Sequence, residues 1–133
     1  MEEFNIMRLG HHGNGITEGG YYAPLTLPGE IIRGIKNAKS LEQIKIIEPS
    51  SDRVSPPCTH FKTCGGCQLQ HASDEFVSGW KVAIVAQALA AHGILTKLRT
   101  CLTSPIASRR RATFSARRTK KGALAGFHAR GSG

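Results

Sequence analysis

Three cysteines fall within ten residues, in Cys58-Thr-His-Phe-Lys-Thr-Cys64-Gly-Gly-Cys67. Thiolates spaced x5 and x2 around a Gly-Gly turn can reach one soft metal centre, because the glycines let the backbone fold sharply between them. The candidate metal ligands are therefore Cys58, Cys64 and Cys67. The residues leave the kind of centre open. Structural zinc uses paired knuckles or Cys/His sets, and His60 or His71 could complete a tetrahedron; an iron-sulfur cube needs four thiolates. The fourth cysteine, Cys101, lies in an Arg-Thr-Cys-Leu-Thr context that reads as a half-buried thiol rather than a ligand.

The second chemical signal is charge. Residues through Glu75 carry seven Lys or Arg against nine Asp or Glu, whereas the rest of the chain carries eleven bases and no acid. The net charge of +9 thus belongs wholly to the second part. Each Lys or Arg placed on a phosphate releases condensed counterions, so this asymmetry points to an anionic polymer, with nucleic acid leading. The candidate RNA contacts are Arg109, Arg110, Arg111, Arg117 and Arg118, whose guanidinium groups match phosphate bidentately, and the ammonium groups of Lys120 and Lys121. Phe114 and Phe127 lie in the same stretch, but alternation assigns Phe114 to the apolar face, where core packing is its expected role.

Other motifs carry no chemistry. Gly10-His-His-Gly13-Asn-Gly15 precedes a strand rather than a helix, so it reads as a turn and not a dinucleotide loop, with His11 and His12 as exposed loop residues. The zinc deaminase pattern fails, since Pro57-Cys58 has no cysteine at x2 and no H-x-E occurs. No apolar run approaches the roughly 20 residues of a membrane span, and the start, Met-Glu-Glu-Phe-Asn, is acidic where a signal peptide is basic. A cytoplasmic protein with no membrane partner and no DNA partner is expected. In a reducing compartment the cysteines read as ligands rather than disulfides.

At 133 residues, 40% of them hydrophobic, the chain can build one medium or two small cores. The expected class is mainly β with one helix (α+β). Short β-like runs at Phe4–Leu9, Tyr21–Ala23, Glu30–Lys36 and Leu41–Ile47, separated by Gly19-Gly20 and by Leu27-Pro28-Gly29-Glu30, suit an OB-like barrel of four or five strands over residues 1–48. Pro49–Pro57 is polar and proline-rich, so residues 49–72 read as a linker and the cysteine loop. A helix is expected over 74–91, from Ser73-Asp74-Glu75 as its start, Phe76, Trp80, Ile84 and Ala88 as its apolar face with Trp80 in a core, and Gly93 just past its end. A basic hairpin is expected over 109–128, turning at Thr119-Lys-Lys-Gly122.

Read together, Leu9-Gly10 with Gly13-Asn-Gly15-Ile16, Leu27-Pro28-Gly29-Glu30, Arg53-Val-Ser-Pro-Pro-Cys58-Thr-His60-Phe61 and Cys64-Gly-Gly-Cys67-Gln-Leu-Gln70-His71 resemble the class I RNA uracil-5 methyltransferases, in particular their bacterial 23S rRNA 5-methyluridine branch. Lys81 sits where that family carries a lysine in the next helix, and Arg109-Arg-Arg-Ala-Thr-Phe with Gly126-Phe127 resembles the opening of its central domain. The resemblance implies a TRAM barrel at 1–48 that grips RNA, a [4Fe-4S] cluster on Cys58, Cys64 and Cys67, and an incomplete central RNA-binding domain over 73–133. It also implies that the fourth cluster cysteine and the S-adenosylmethionine-binding Rossmann domain lie beyond this sequence. Methylation at uracil C5 needs a cysteine thiolate adding to C6, a base for the C5 proton and a methyl donor, so the chain alone is expected to be inactive. Its expected role is to bind and orient 23S rRNA as the amino-terminal portion of the enzyme.

Two other classes compete. A stand-alone zinc-containing RNA-binding module would use His60, His71 or Cys101 to complete the site. A radical S-adenosylmethionine methylthiotransferase also carries a TRAM barrel, but its cluster motif is C-x3-C-x2-C and its barrel is carboxy-terminal, which ranks it below the others.

Overall fold

The structure, a computed structural model, describes residues 1–132. Its first part is a closed barrel of five strands: β1 (Glu2–Leu9), β2 (Gly15–Thr17), β3 (Tyr22–Ala23), β4 (Ile31–Asn37) and β5 (Ser40–Glu48), neighbouring in the order β1-β2-β3-β5-β4. Every pairing is antiparallel except the single parallel contact Tyr22↔Ser40 between β3 and β5, which closes the ring and removes the open edges.

The ladder slips at three places, one of them between Ile31 and Ile32 opposite Ile46 and Glu48, and the other two re-aim core residues. In β1 the buried residues are Ile6 and Leu9, with Met7 and Arg8 both facing out. The β1–β2 register slips between Ile6 and Arg8, so one extra residue re-aims Leu9 inward. In β5 the inward series runs Leu41, Ile44, Ile46, and the slip lies opposite Arg33/Ile35, where Gln43 takes φ 50°. The core is Ile6, Ala23, Ile32 and Leu41, flanked by Phe4, Tyr21, Ile44 and Ile46. Gly15 is required by close approach, because a Cβ there would stand 2.1 Å from Thr26 Oγ1 and 2.8 Å from Ile6 Cγ2.

Residues 49–72 contain no helix or strand, yet they are tied down. Val54 N donates to His71 O, Ser73 N to Asp52 O, and Arg53 bridges to Ala72, so the segment leaves the barrel and returns beside its own start. Helix α1 (Asp74–Ala90) then begins where expected. Ser73 Oγ accepts from Phe76 N at 3.2 Å, and Asp74 and Glu75 occupy the positive end. Gly93, with φ 73°, donates to Ala90 O and Ile94 donates to Leu89 O, which closes the other end. None of the helix's described side chains is fully buried, so the expectation of a core Trp80 is corrected: the indole is half-buried.

The hairpin, β6 (Ser115–Thr119) and β7 (Gly122–Gly126), is shorter than the expected 109–128. Arg109–Phe114 are exposed and irregular, because no strand faces them across the turn: Ser115 already pairs with Gly126, beyond which the chain turns to the cysteine loop. Phe114 is likewise corrected. It is 58% exposed and meets Phe127 edge-on at 5.1 Å rather than packing in a core. No helix among the described residues is long and apolar enough to cross a membrane.

Candidate functional site

The cysteine loop is clasped from both sides. On the barrel side the clasp is a buried polar network built on Glu30, the last residue of the Leu27–Glu30 turn. Its carboxylate, wholly shielded from solvent, accepts from Leu27 N (2.8 Å), Ser50 N (3.2 Å), and both Nε and Nη2 of Arg53 (2.8 Å for Nη2). Arg53 Nη2 also donates to Leu25 O at 2.9 Å, so one guanidinium ties both ends of the β3–β4 loop to the start of the linker. Burial pushes the Glu30 carboxyl up, but the Arg53 hydrogen bond, the two amides and the guanidinium charge together outweigh it and hold it below its ordinary value.

His71 is the second pin. It is buried at 2% exposure, its Nε2 faces Thr26 O at 3.4 Å, and its ring lies 5.5 Å from that of Phe61. Burial lowers its basicity, the Thr26 carbonyl only partly opposing, and Nδ1 has no hydrogen-bond partner. A neutral imidazole with its proton on Nε2 satisfies this arrangement best.

On the other side the chain after β7 returns as an edge against the loop. Cys64 bridges Ala129, Gly65 N donates to His128 O at 2.8 Å, and Arg130 N donates to Thr63 O at 2.7 Å. The Arg130 guanidinium lies 4.7 Å from the Phe61 ring centroid and donates from Nη2 to Phe61 O (2.7 Å) and Cys67 O (2.6 Å), and from Nη1 to Gln68 Oε1. The Gly-Gly step is needed for this fit: a Cβ on Gly65 would meet His128 O at 3.0 Å, and one on Gly66 the Phe127 ring at 3.1 Å.

Within the clasp the thiols are unequal. Cys64 and Cys67 are half-buried and Cys58 is exposed, and all four cysteines, Cys101 included, are free. Gly66 N donates to Cys64 Sγ at 3.3 Å, the kind of amide contact that stabilises a thiolate. Among the described residues, however, no three His, Cys, Asp or Glu side chains stand close enough to hold a metal ion. The donor set fits a soft metal or an iron-sulfur group in kind, while its convergence is not present in the folded loop.

The sequence-derived RNA residues divide by element. Arg117 and Arg118 lie on β6, Lys120 and Lys121 form its turn, and Arg109, Arg110 and Arg111 precede it; all seven are exposed. None takes part in the ion pairs found among the described residues, which are Arg33–Glu3, Lys36–Glu2 and Arg53–Glu30. Arg117 pairs across the ladder with Leu124, and Arg118 with Ala123, so successive arginines project from opposite faces of an uncovered ribbon. The residues that sequence reasoning missed are Glu30, Arg53 and Arg130 as structural pins. Only Glu30 had a local signal, as the acid closing a Pro-Gly turn.

Comparison with known proteins follows the same outline. No family model matches the chain. It is 37% identical, over 95% of its length, to an uncharacterized RNA methyltransferase of Brucella suis, covering 31% of that relative. It is 42% identical over 92% of its length to another from Rhizobium meliloti, covering 32% of that protein. Over 55% of its length it is 42% identical to the 23S rRNA (uracil(1939)-C(5))-methyltransferase RlmD of Francisella tularensis subsp. novicida, covering 18% of it. The chain spans about a third of the length of the curated relatives it matches along nearly its whole sequence. Over nearly all its residues the chain is thus similar to about one third of each of these RNA methyltransferases.

Proposed function

We propose that this chain is the RNA-holding part of an S-adenosylmethionine-dependent RNA uracil-5 methyltransferase of the cytoplasm, with 23S rRNA as its substrate. The observation that carries the reading is the run of seven exposed, unpaired bases from Arg109 to Lys121, in a stretch without acid, on a chain akin to RNA methyltransferases. Bases free of ion pairs keep their full counterion release for phosphate. A ribbon with cations on both faces suits the narrow path between two RNA segments better than a flat duplex surface. The chain's contribution is therefore affinity and placement, while methyl transfer belongs to the S-adenosylmethionine-binding part of the proposed enzyme.

The same reading gives Cys58, Cys64 and Cys67 to a [4Fe-4S] cluster. When bound, such a group would cross-link the loop, a structural rather than redox contribution. The soft donor set and the amide directed at Cys64 Sγ support it. Anaerobic purification tests this directly: iron and sulfide in equal amounts, lost in Cys64→Ser, is the expected result, and stoichiometric zinc without iron would overturn it in favour of a zinc module. RNA holding is tested by titrating a labelled 23S rRNA fragment at several salt concentrations. A steep fall of affinity with salt is expected; salt-independent or absent binding refutes the reading.

A further inference from the structure

A cleft of about 750 Å³ opens where the β1–β2 turn, the cysteine loop, helix α1 and the chain after β7 meet. Its size lies within the roughly 300–1,000 Å³ typical of small-ligand sites. Its lining sets it apart. The turn contributes His11, His12 and Asn14, the cysteine loop Gln68, and the helix Trp80 and Lys81, and not one Asp or Glu is present. The two neighbouring clefts on the helix both include Glu75.

The walls are held from several directions. Gly13 N donates to Gly10 O and Gly10 N to Asn14 O, a tight turn that carries His11 and His12 exposed at its tip. That turn is seated on the cysteine loop, since a Cβ on Gly13 would come within 3.4 Å of Gln68 Cβ. Lys81 is exposed and Trp80 half-buried, so an ammonium and an indole face the same opening from adjacent helix positions. Arg130 also lines the cleft, with its guanidinium already committed to Phe61 O, Cys67 O and Gln68.

We propose that this cleft is a second RNA site, separate from the hairpin, which takes one unpaired nucleotide: its base against Trp80, its phosphate on Lys81 and the His11–His12 tip, and its polar edge on Asn14 and Gln68. The inference rests on the RNA-holding reading and locates a contact that the basic hairpin does not supply. An acid-free lining of imidazole, amide and ammonium groups is complementary to phosphate and base edges, and stacking on an aromatic ring is tolerant of sequence. The histidines gain a function here beyond that of plain loop residues.

Trp80 is the single tryptophan of the chain and lines both this cleft and the one with Met7 and Leu9, so its fluorescence reports on the two and variants at Lys81 and His12 tell them apart. The full chain is titrated with a short, dye-labelled, single-stranded oligoribonucleotide, following anisotropy for total binding and Trp80 emission for the cleft. Quenching with the same midpoint as anisotropy is expected. Lys81→Gln and His12→Gln, both exposed and both outside the cleft that Trp80 shares with Met7 and Leu9, are each expected to weaken the quenching phase about three- to tenfold. Trp80→Phe should retain affinity, and Trp80→Ala should lower it about five- to hundredfold at unchanged circular dichroism. Binding by anisotropy without quenching, and without effect of the Lys81 and His12 variants, would falsify the cleft while leaving the RNA reading intact. No anisotropy change overturns both. Equal quenching by polyglutamate shows an acidic peptide site and overturns the proposal.

Discussion

Replacing Glu30 by Gln should loosen the cysteine loop from the barrel at a cost that the structure lets one estimate. The side chain is 0% exposed and that of Arg53 24% exposed, and the carboxylate takes four hydrogen bonds, two of them from the guanidinium. Gln keeps the shape but offers one acceptor oxygen, and its amide must turn N–H groups toward donors. Hydrogen bonds to charged groups contribute about 1.5–3 kcal/mol each, and an unmatched buried donor costs about 1–3 kcal/mol. Water reaching Arg53 offsets part of this, which gives about 3 kcal/mol, the low end of the range for breaking a buried ion pair. With a slope of about 1–2 kcal/mol/M, the urea midpoint followed by far-ultraviolet circular dichroism should fall by about 1.5–3 M. Arg53→Met supplies the control. In the native protein the Glu30 carboxyl sits below its ordinary 4.5, so its stabilisation is present at neutral pH and is lost as pH falls through the depressed value. Without Arg53 the hydrogen bond and the charge of the guanidinium are gone and only the amides oppose burial, the largest single influence, so the carboxyl should rise from its native value. Ionising it then stabilises the fold less, and the variant should lose less stability in acid than the native protein. A Glu30→Gln cost under about 0.5 kcal/mol, or an Arg53→Met variant losing stability in acid as the native protein does, would refute the reasoning.

Three further outcomes follow from the same geometry. Arg117→Gln with Arg118→Gln should weaken binding of a 23S rRNA fragment nearly uniformly across sequences and lower the slope of log affinity against log salt by about 1–2, measured by anisotropy at several salt concentrations. Below about pH 6.5 the native protein should lose stability, because the unfolded chain binds a proton that buried His71 takes up only at lower pH; His71→Phe should flatten that part of the stability profile in urea titrations. Arg130→Lys removes the planar stack on Phe61 and one of the two carbonyl contacts at Phe61 and Cys67, so hydrogen exchange of the Cys64 and Gly65 amides should speed up about ten- to hundredfold while the barrel amides are unchanged.

What could be read from the sequence was local. Strand positions followed from alternation and from glycines able to take the turns at Gly20 and Gly29, both at positive φ, and the helix start followed from Ser73 and its two acids. The strand irregularities at Met7-Arg8 and Glu42-Gln43 escaped notice because a bulge looks like imperfect alternation until the partner strand fixes the register. The hairpin's boundary escaped for a related reason. Arg109–Phe114 alternate well enough for a strand, but alternation does not supply a partner, and the chain that could have paired with them is drawn instead to Cys64 and Gly65.

The basic residues show the same limit in its most consequential form. Counting charge treats Arg53, Arg117 and Arg130 as equals, yet the fates of Arg53 and Arg130 are decided by groups 23 to 69 residues away. Arg53 is neutralised by Glu30, 23 positions earlier, and Arg130 is occupied by carbonyls 63 and 69 positions earlier. Both hold the cysteine loop in place, and neither has a guanidinium to spare for phosphate. Subtracting such anchored cations is what turns a composition into an interface. The densest clusters of bases that survive the subtraction are Arg109 to Arg111 and Arg117 to Lys121, beside scattered exposed ones such as Lys97, Arg99 and the cleft-lining Lys81. Lys81 lines the same cleft as Gly65, Gln68 and Arg130, so this cation sits beside the cysteine loop that Arg130 holds.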